Sequence, residues 1–303
     1  MTFSVVIPTF NVGVHFRHFL DVLKKQTLSF ELIVIDSSPK DTISEMAHGF
    51  GVRMVHIQQE EFDHGGTRNQ AVRCANGKFI VFLTQDILPV DEFSLERLVN
   101  PLVQDEKITA SYGRQLPHPV SSPLSAHLRF FNYPEQSYIY SLEDRRKHGL
   151  KTSFLSNSFA AYRRDALEKI GWFREKLIMC EDACAAAEML MAGYKIAYAA
   201  DAQVYHSHEY TAAQDFKRYF DIGVFHKLEP WLIQEFGRAE GEGKRFIQSG
   251  LAFLRKRNQY HHLPEFILRA ALKYAGYKLG NSYDKLPASI VKKLSMHRHY
   301  WEN

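Results

Sequence analysis

The run Phe79-Ile80-Val81-Phe82-Leu83 constrains this chain more than any other stretch. Five consecutive apolar residues, β-branched and aromatic, read as a strand buried on both faces, which places it inside a sheet covered by helices. The run changes character at Thr84-Gln85-Asp86. A carboxylate at the C-terminal end of such a strand sits at the sheet edge where open α/β folds bind ligands. The plainer alternative is an Asp that caps the following turn. What else the chain brings to that edge decides between them.

Upstream, Ser4-Val5-Val6-Ile7-Pro8 reads as a short strand ended by its proline. An amphipathic helix from about Val14 to Lys25 follows the Thr9-Phe10-Asn11 loop, with Phe16, Phe19, Leu20 and Leu23 on one face. Glu31–Ile35 forms a second strand ending in Asp36-Ser37-Ser38, Asp41 to about Phe50 a helix, and Val52–Ile57 a third strand. This alternation predicts a mostly parallel sheet with crossover helices, an α/β fold. Strand ends carrying Thr9, Asp36 and Asp86 then converge on one edge.

Gly65-Gly66 permits a tight turn or close backbone approach, and Thr67 with Gln70 fits a capping box opening a helix over Arg68–Ala75. An Arg in a helix's first turn opposes the helix dipole unless an anion sits there, so Arg68 marks either a phosphate site or a surface arginine. Neither GxGxxG after the first strand nor GxxxxGK[ST] is present, which excludes the two commonest phosphate-binding fingerprints. Leu116 to about Ser153 is irregular and aromatic, a packed surface excursion or an acceptor-facing insertion. A strand is expected over 153–162 and a short helix over 163–170. Glu181-Asp182 then starts a helix, where acids ordinarily serve as dipole and cap residues. Beyond a strand at Lys195–Ala199, extended alternation over 204–208 predicts His206 and His208 on opposite faces, with at most one of them facing a site reached from Asp86.

From Ala212 the chain reads as helical. Residues 244–303 hold 12 Lys/Arg and 3 Asp/Glu, a balance of +9, which leaves −5 on residues 1–243. Basic helices with Phe, Leu, Ile and Tyr on the other side suit an anionic membrane surface, or a helical pair with a solvated basic face. Nucleic acid is disfavoured because no recognised binding motif accompanies the charge. No stretch is long and apolar enough to span a bilayer and no signal-peptide pattern opens the chain, so the expectation is a cytoplasmic protein. Cys74, Cys180 and Cys184 make no disulfide framework.

Taken together, these residues resemble the GT-A glycosyltransferases of family 2. The resemblance runs through Val5–Asn11, Ile33–Ser38, Gly65–Asn69, Thr84-Gln85-Asp86, Gly171-Trp172-Phe173, Glu181-Asp182 and His206. Phe62–Asn69, Ala161–Leu167 and the end Leu294-Ser295-Met296-His297 narrow it to bacterial rhamnosyltransferases of surface polysaccharide (O-antigen type) synthesis. Gln85 departs from the family, which has an acid at this place.

The resemblance implies a GT-A catalytic domain over 1–212 and a basic helical region over 213–303. It implies an inverting transfer from a dTDP- or UDP-sugar, foremost dTDP-L-rhamnose, onto a lipid-linked glycan at the cytoplasmic face of the inner membrane. Pro8, Thr9, Asn11, Asp36, Arg68, Gln85 and Asp86 would bind the nucleotide sugar. Asp86 and His206 would hold Mg²⁺ or Mn²⁺. Asp182 would be the base that deprotonates the acceptor, with Glu181 beside it. The competing readings are a family 2 transferase for another hexose, an N-acetylhexosamine or galactofuranose, and a non-catalytic GT-A binding module.

Overall fold

The computed structural model describes residues 1–40, 43–237 and 241–302. Strand β1 (Phe3–Thr9) leads into α1 (His15–Lys24), which buries Phe16, Phe19, Leu20 and Leu23 as its periodicity demands. There follow β2 (Glu31–Asp36), α2 (Ser44–Ala47), β3 (Val52–His56), α3 (His64–Cys74), β4 (Phe79–Leu83) and the short β5 (Leu88–Pro89). Next come α4 (Ser94–Gln104), β6 (Ile108–Leu116), α5 (Pro123–Asn132), β7 (Tyr138–Tyr140) and α6 (Arg145–His148). The sheet is completed by β8 (Phe159–Arg163) and, after α7 (Arg164–Lys169) and α8 (Glu181–Met191), by β9 (Lys195–Tyr205). Five helices end the chain: α9 (Ala212–Leu228), α10 (Pro230–Phe236), α11 (Glu242–Lys256), α12 (Leu263–Gly280) and α13 (Ala288–Leu294).

The strands form one sheet in the order β3-β2-β1-β4-β8-β6-β9-β5, with β7 paired to β9. The pairings give β1, β2, β3, β4, β6 and β9 a common direction, while β5, β7 and β8 run against it. Every residue of β4 is buried, as expected for a central strand. Because β8 is antiparallel to β4, its N-terminal end lies at the same sheet edge as the C-terminal ends of β1, β4, β6 and β9. That one reversal brings residues 156–158 to the edge where Asp86 begins the next loop. The core does not stop at the sheet: Phe220, Phe225 and Leu232 of the C-terminal helices share a contiguous apolar cluster with Val6, Ile80 and Phe82.

Several boundaries differ from the sequence reading. β1 runs through Pro8 to Thr9, because its ladder with β4 stops at Val6 opposite Phe82 and a missing N–H beyond that point breaks no bond to β4. Asp41 lies outside the described residues; the helix beyond it, α2, is only one turn long, and the chain leaves it through Gly49 and Gly51, both at positive φ. α3 begins four residues earlier than its expected capping box, since Asp63 is the cap and accepts a 2.6 Å hydrogen bond from Gly66 N–H. Over 153–162, only the part from Phe159 onward is strand. The irregular aromatic stretch contains α5 and β7. Residues 195–205 form one strand, whose bulge opposite Gly113 and Arg114 looked in sequence like a break.

Candidate active site at the sheet edge

The ends of β1 and β2 build a small buried polar cluster. Asp36, 1% exposed, accepts hydrogen bonds at Oδ1 from Thr9 Oγ1 (2.9 Å) and Ser38 Oγ (2.7 Å). Ser38 Oγ in turn accepts from the backbone N–H of Asn11 (2.7 Å), which holds Asn11 in a left-handed conformation at φ 46°. Pro8 is half-buried at the start of this corner. Asp36 Oδ2 is buried and has no hydrogen bond among the described residues; the His56 ring lies beside it, with Nδ1 at 3.9 Å. A buried carboxylate oxygen without a donor is expensive, so Oδ2 is open to an N–H donor.

Gln85 closes the gap between this corner and β4. Its Nε2 donates to Phe10 O (3.0 Å) and its Oε1 accepts from Phe10 N–H (2.8 Å). A carboxylate can accept but cannot donate, so the amide is what this two-sided clasp requires. The departure at Gln85 thus has a local structural use.

Asp86 comes next in the loop and meets β9 where that strand ends. His206 Nε2 lies 3.3 Å and His208 Nε2 3.6 Å from Asp86 Oδ2. The expectation of opposite faces fails here because β9 stops at Tyr205, so the two-residue alternation of a strand no longer governs the histidines. Both converge on Asp86, and one ligand atom from each of the three residues lies within 4.8 Å of the others. Burial pushes both histidines down, His208 to about 4, so both are neutral at pH 7.

The tautomer of His206 follows from its other nitrogen. Its Nδ1 lies 2.8 Å from Gln115 Oε1, an acceptor only, so Nδ1–H donates and Nε2 keeps its lone pair. That Nε2 is buried without a hydrogen bond among the described residues, and its contact with Asp86 lacks hydrogen-bond geometry. One carboxylate and two neutral imidazoles around an orphaned lone pair fit a divalent cation. Gln115, 1% exposed, is held in turn by Arg129 Nη1, which donates to the same Oε1 at 2.6 Å, and donates from its own Nε2 to Ser156 Oγ at 3.1 Å.

The second half of the site hangs on residue 157. Asn157 N–H donates to Asp182 Oδ2 (3.0 Å), Asn157 Nδ2 donates to Glu181 Oε1 (3.0 Å), and Tyr162 OH donates to Asn157 Oδ1 (2.7 Å). Glu181 is buried and ion-paired with Arg68 Nη1 at 3.0 Å. Burial works against its charge, yet Arg68 and then His64 hold it ionised. The neighbouring Asp182 is pushed up to about 7, by burial first and by the Glu181 charge second. Two adjacent carboxylates are thus driven apart in acidity, a pattern typical of acid–base chemistry.

Arg68 is placed differently from the sequence expectation. It is the fifth residue of α3, in the second turn, with its side chain 7% exposed and its charge paired to Glu181. Gly65 serves packing: a Cβ there would overlap the carbonyl oxygen of Arg174. Asn69 completes that seam by exchanging hydrogen bonds with the backbone of Phe173, 2.9 Å from Nδ2 to O and 3.0 Å from N to Oδ1. Sequence reasoning missed Gln115, Arg129, Ser156, Asn157 and His208 as a linked set. Only the polar Ser156-Asn157-Ser158 before an apolar strand hinted at one of them.

Glycosyl transferase family 2 matches residues 4–171 of the chain. The O-antigen chain rhamnosyltransferase WbaN of Salmonella anatum is 44% identical over 305 residues, covering 100% of this chain and 96% of the relative. The chain belongs to glycosyl transferase family 2. The O-antigen chain rhamnosyltransferase RfbN of Salmonella typhimurium is likewise 44% identical over 306 residues, covering 100% and 97%. Among solved structures, the mannosyltransferase PcManGT of Pyrobaculum calidifontis, in complex with GDP-Man and Mn²⁺, superposes with a TM-score of 0.58 at 18% identity. It covers 99% of this chain and 84% of that one. A Staphylococcus aureus TarS fragment in complex with UDP-GlcNAc gives 0.58 at 20% identity, covering 100% and 87%. The fold is therefore GT-A, followed by a helical C-terminal region, and family 2 membership makes the chain an inverting glycosyltransferase of polysaccharide synthesis.

Proposed function

We propose that this transferase moves L-rhamnose from dTDP-L-rhamnose onto a glycan acceptor carried on a lipid. The observation that carries the reading is the meeting, at one sheet edge, of the Asp86–His206–His208 cluster and the raised carboxyl of Asp182. The full-length likeness to two O-antigen rhamnosyltransferases supports the choice of sugar.

Each residue has a part in this scheme. Asp36 Oδ2 accepts the N3–H of the thymine or uracil ring, with Thr9, Pro8 and Asn11 lining the same corner. Asp86, His206 and His208 would hold Mg²⁺ or Mn²⁺, the imidazoles favouring Mn²⁺, and the bound cation would offset the charge gathering on the diphosphate. Asp182 takes the proton of the acceptor hydroxyl as its oxygen attacks the anomeric carbon, and the bond to the diphosphate breaks on the opposite face. The raised pKa makes Asp182 a stronger base than an ordinary carboxylate and leaves it ionised above neutrality. One displacement inverts the anomeric centre. Glu181, neutralised by Arg68, tunes Asp182, while Gln85 positions the loop that carries Asp86.

Residues 1–212 carry this chemistry, and 213–303 bring the enzyme to its acceptor. No helix among the described residues is long and apolar enough to cross a membrane. α12 nevertheless turns Ile267, Leu268 and Tyr274 outward, each more than half exposed, beside the exposed Lys278. Apolar and cationic groups on one face suit the cytoplasmic surface of an anionic membrane. Replacing Lys256, Arg257 and Lys278 with Glu is expected to release the protein from anionic liposomes, and unchanged binding would remove this part of the proposal.

The central test offers the purified protein dTDP-, UDP- and GDP-sugars with Mn²⁺ or Mg²⁺ and follows donor consumption. Selective use of dTDP-L-rhamnose is expected; preference for a UDP-hexose, UDP-N-acetylhexosamine or UDP-galactofuranose would overturn the sugar assignment. Asp182→Asn is expected to abolish transfer while retaining dTDP binding, and near-normal turnover would remove Asp182 as the base.

A further inference from the structure

Helix α13 packs on α9: Val291, 3% exposed, shares the apolar cluster of Phe220 and Val224. The chain leaving α13 meets α9 again at Asp221, which is fully buried. Asp221 Oδ2 accepts hydrogen bonds from the backbone N–H groups of Met296 (2.8 Å) and His297 (3.1 Å). The His297 N–H also points to Ser295 Oγ at 3.1 Å, and Ser295 is itself fully buried. A carboxylate that takes two consecutive amides fixes the local turn and so the direction of the His297 side chain.

That side chain reaches the catalytic half of the site. The His297 and His64 rings meet edge-on with centroids 5.4 Å apart, and Phe62 packs on His64 in the same manner at 5.2 Å. His64 is the first residue of α3. Its carbonyl oxygen accepts from Arg68 Nη1 at 2.9 Å, and the same nitrogen pairs with Glu181. One aromatic contact therefore separates the end of the chain from the Arg68–Glu181 pair. The charged groups facing His64 are Asp63 and Arg68 from α3 and its cap, Glu181 from α8 and Arg218 from α9. Two carboxylates face two guanidiniums, so burial decides, and it holds His64 below its ordinary value. His297, pushed down to about 4 by its own burial, adds no charge at pH 7.

We propose that His297 is a positioning residue of the transferase: by covering His64 it fixes the His64–Arg68 contact that orients Glu181 beside Asp182. The proposal rests on Glu181 and Asp182 being the catalytic pair, as in the reading above. Covering His64 keeps water from it and keeps it neutral; a second cation beside Glu181 would lower the Asp182 pKa and weaken the base. It also holds the first turn of α3, and displacements of about 1 Å around a reacting centre can cost up to ~100-fold in rate.

Two measurements on the full-length protein test this. The histidine C2–H signals are followed by NMR from acidic to neutral pH, with the His64 signal identified by its loss in His64→Gln. In His297→Ala the His64 pKa is expected to rise by about half a unit or more, and in His297→Phe, which keeps the aromatic cover, to stay at the parent value. Turnover of dTDP-L-rhamnose with Mn²⁺ is then compared. In His297→Ala kcat is expected to fall about fivefold or more with donor KM within about twofold, and His297→Phe is expected to recover at least about half of the parent kcat. Retained dTDP binding shows that a variant is folded; should His297→Ala not fold, His297→Gln, which also removes the ring, replaces it. A His64 pKa unmoved without the ring, turnover unchanged without it, or a Phe variant as impaired as Ala would overturn the proposal. The NMR titration uses no donor, so a parent inactive on dTDP-L-rhamnose counts against the sugar assignment alone and the His64 titration decides.

Discussion

Arg68→Met tests whether the buried arginine acts through Glu181. The pair stands at 3.0 Å with side chains 7% and 6% exposed. At an effective dielectric of about 20, that separation corresponds to about 5.5 kcal/mol of attraction, opposed by the desolvation of both ions. Removing one partner leaves the other charge buried and uncompensated, a loss of about 3–5 kcal/mol. Met keeps the length and apolar packing of the Arg stem against Phe82, whose ring centroid lies 5.9 Å from the guanidinium carbon. Urea unfolding followed by tryptophan fluorescence reads the stability of Arg68→Met, Glu181→Gln and the double variant. Gln at 181 keeps an oxygen for Asn157 Nδ2, so the double variant is expected to recover at least half of the loss seen in Arg68→Met. A loss under ~1 kcal/mol, with no recovery in the double variant, would refute the reasoning. Normal stability with tenfold weaker dTDP binding would make Arg68 a diphosphate ligand instead.

Four further outcomes are expected. Glu181→Gln removes the like charge beside Asp182, so the Asp182 pKa falls and the acidic limb of the kcat/KM profile moves to lower pH by ~1 unit; an unmoved or upward-moved limb would contradict the assignment. The same raised pKa gives Asp182 a signed effect on stability: it favours the fold at low pH, and that contribution is lost as pH rises from the ordinary carboxylate range through about 7. Stability curves of the parent measured at several pH values, with Asp182→Ala as reference, check the sign. His206→Ala should abolish a Mn²⁺-induced rise in Tm, and Gln115→Leu should weaken Mn²⁺ binding ~10–100-fold by releasing the Nδ1–H of His206; equal Mn²⁺ affinity in all three proteins would dismiss the cluster as a cation site. Gly65→Ala should destabilise by ~2 kcal/mol or more, because its Cβ meets the Arg174 backbone, while donor KM in whatever folds stays unchanged; a higher KM with full stability would show that the glycine faces ligand.

What local pattern can encode was legible from the residues. The apolar run of β4, the alternation of strands and helices through β3, and the helical character after Ala212 all follow from short periods along the chain. So does the convergence of Thr9, Asp36 and Asp86, because a strand end followed by a small polar residue fixes which edge of a parallel sheet the residue occupies. Glu181, Asp182 and His206 were legible only as members of a family motif. Their own surroundings are equally compatible with a helix start and a strand end.

Tertiary structure alone decided who meets whom. Arg68 and Glu181 are 113 residues apart, Gln115 and His206 are 91, and Gln85 and Phe10 are 75. No periodicity spans such separations. Those pairs form because β8 runs backwards beside β4 and β9 parallel to β6, which stacks four distant loops on one edge. The end of β9 at Tyr205 releases His208 from strand alternation, and the seam between α3 and residues 172–176 makes Gly65, readable in sequence as part of a tight turn or a close backbone approach, a packing contact. Sequence determined which chemistry reaches the edge of the β4 strand. The raised pKa of Asp182, the neutral tautomer of His206 and the use of Gln85 as a clasp come from burial and from partners that exist only once the sheet has closed.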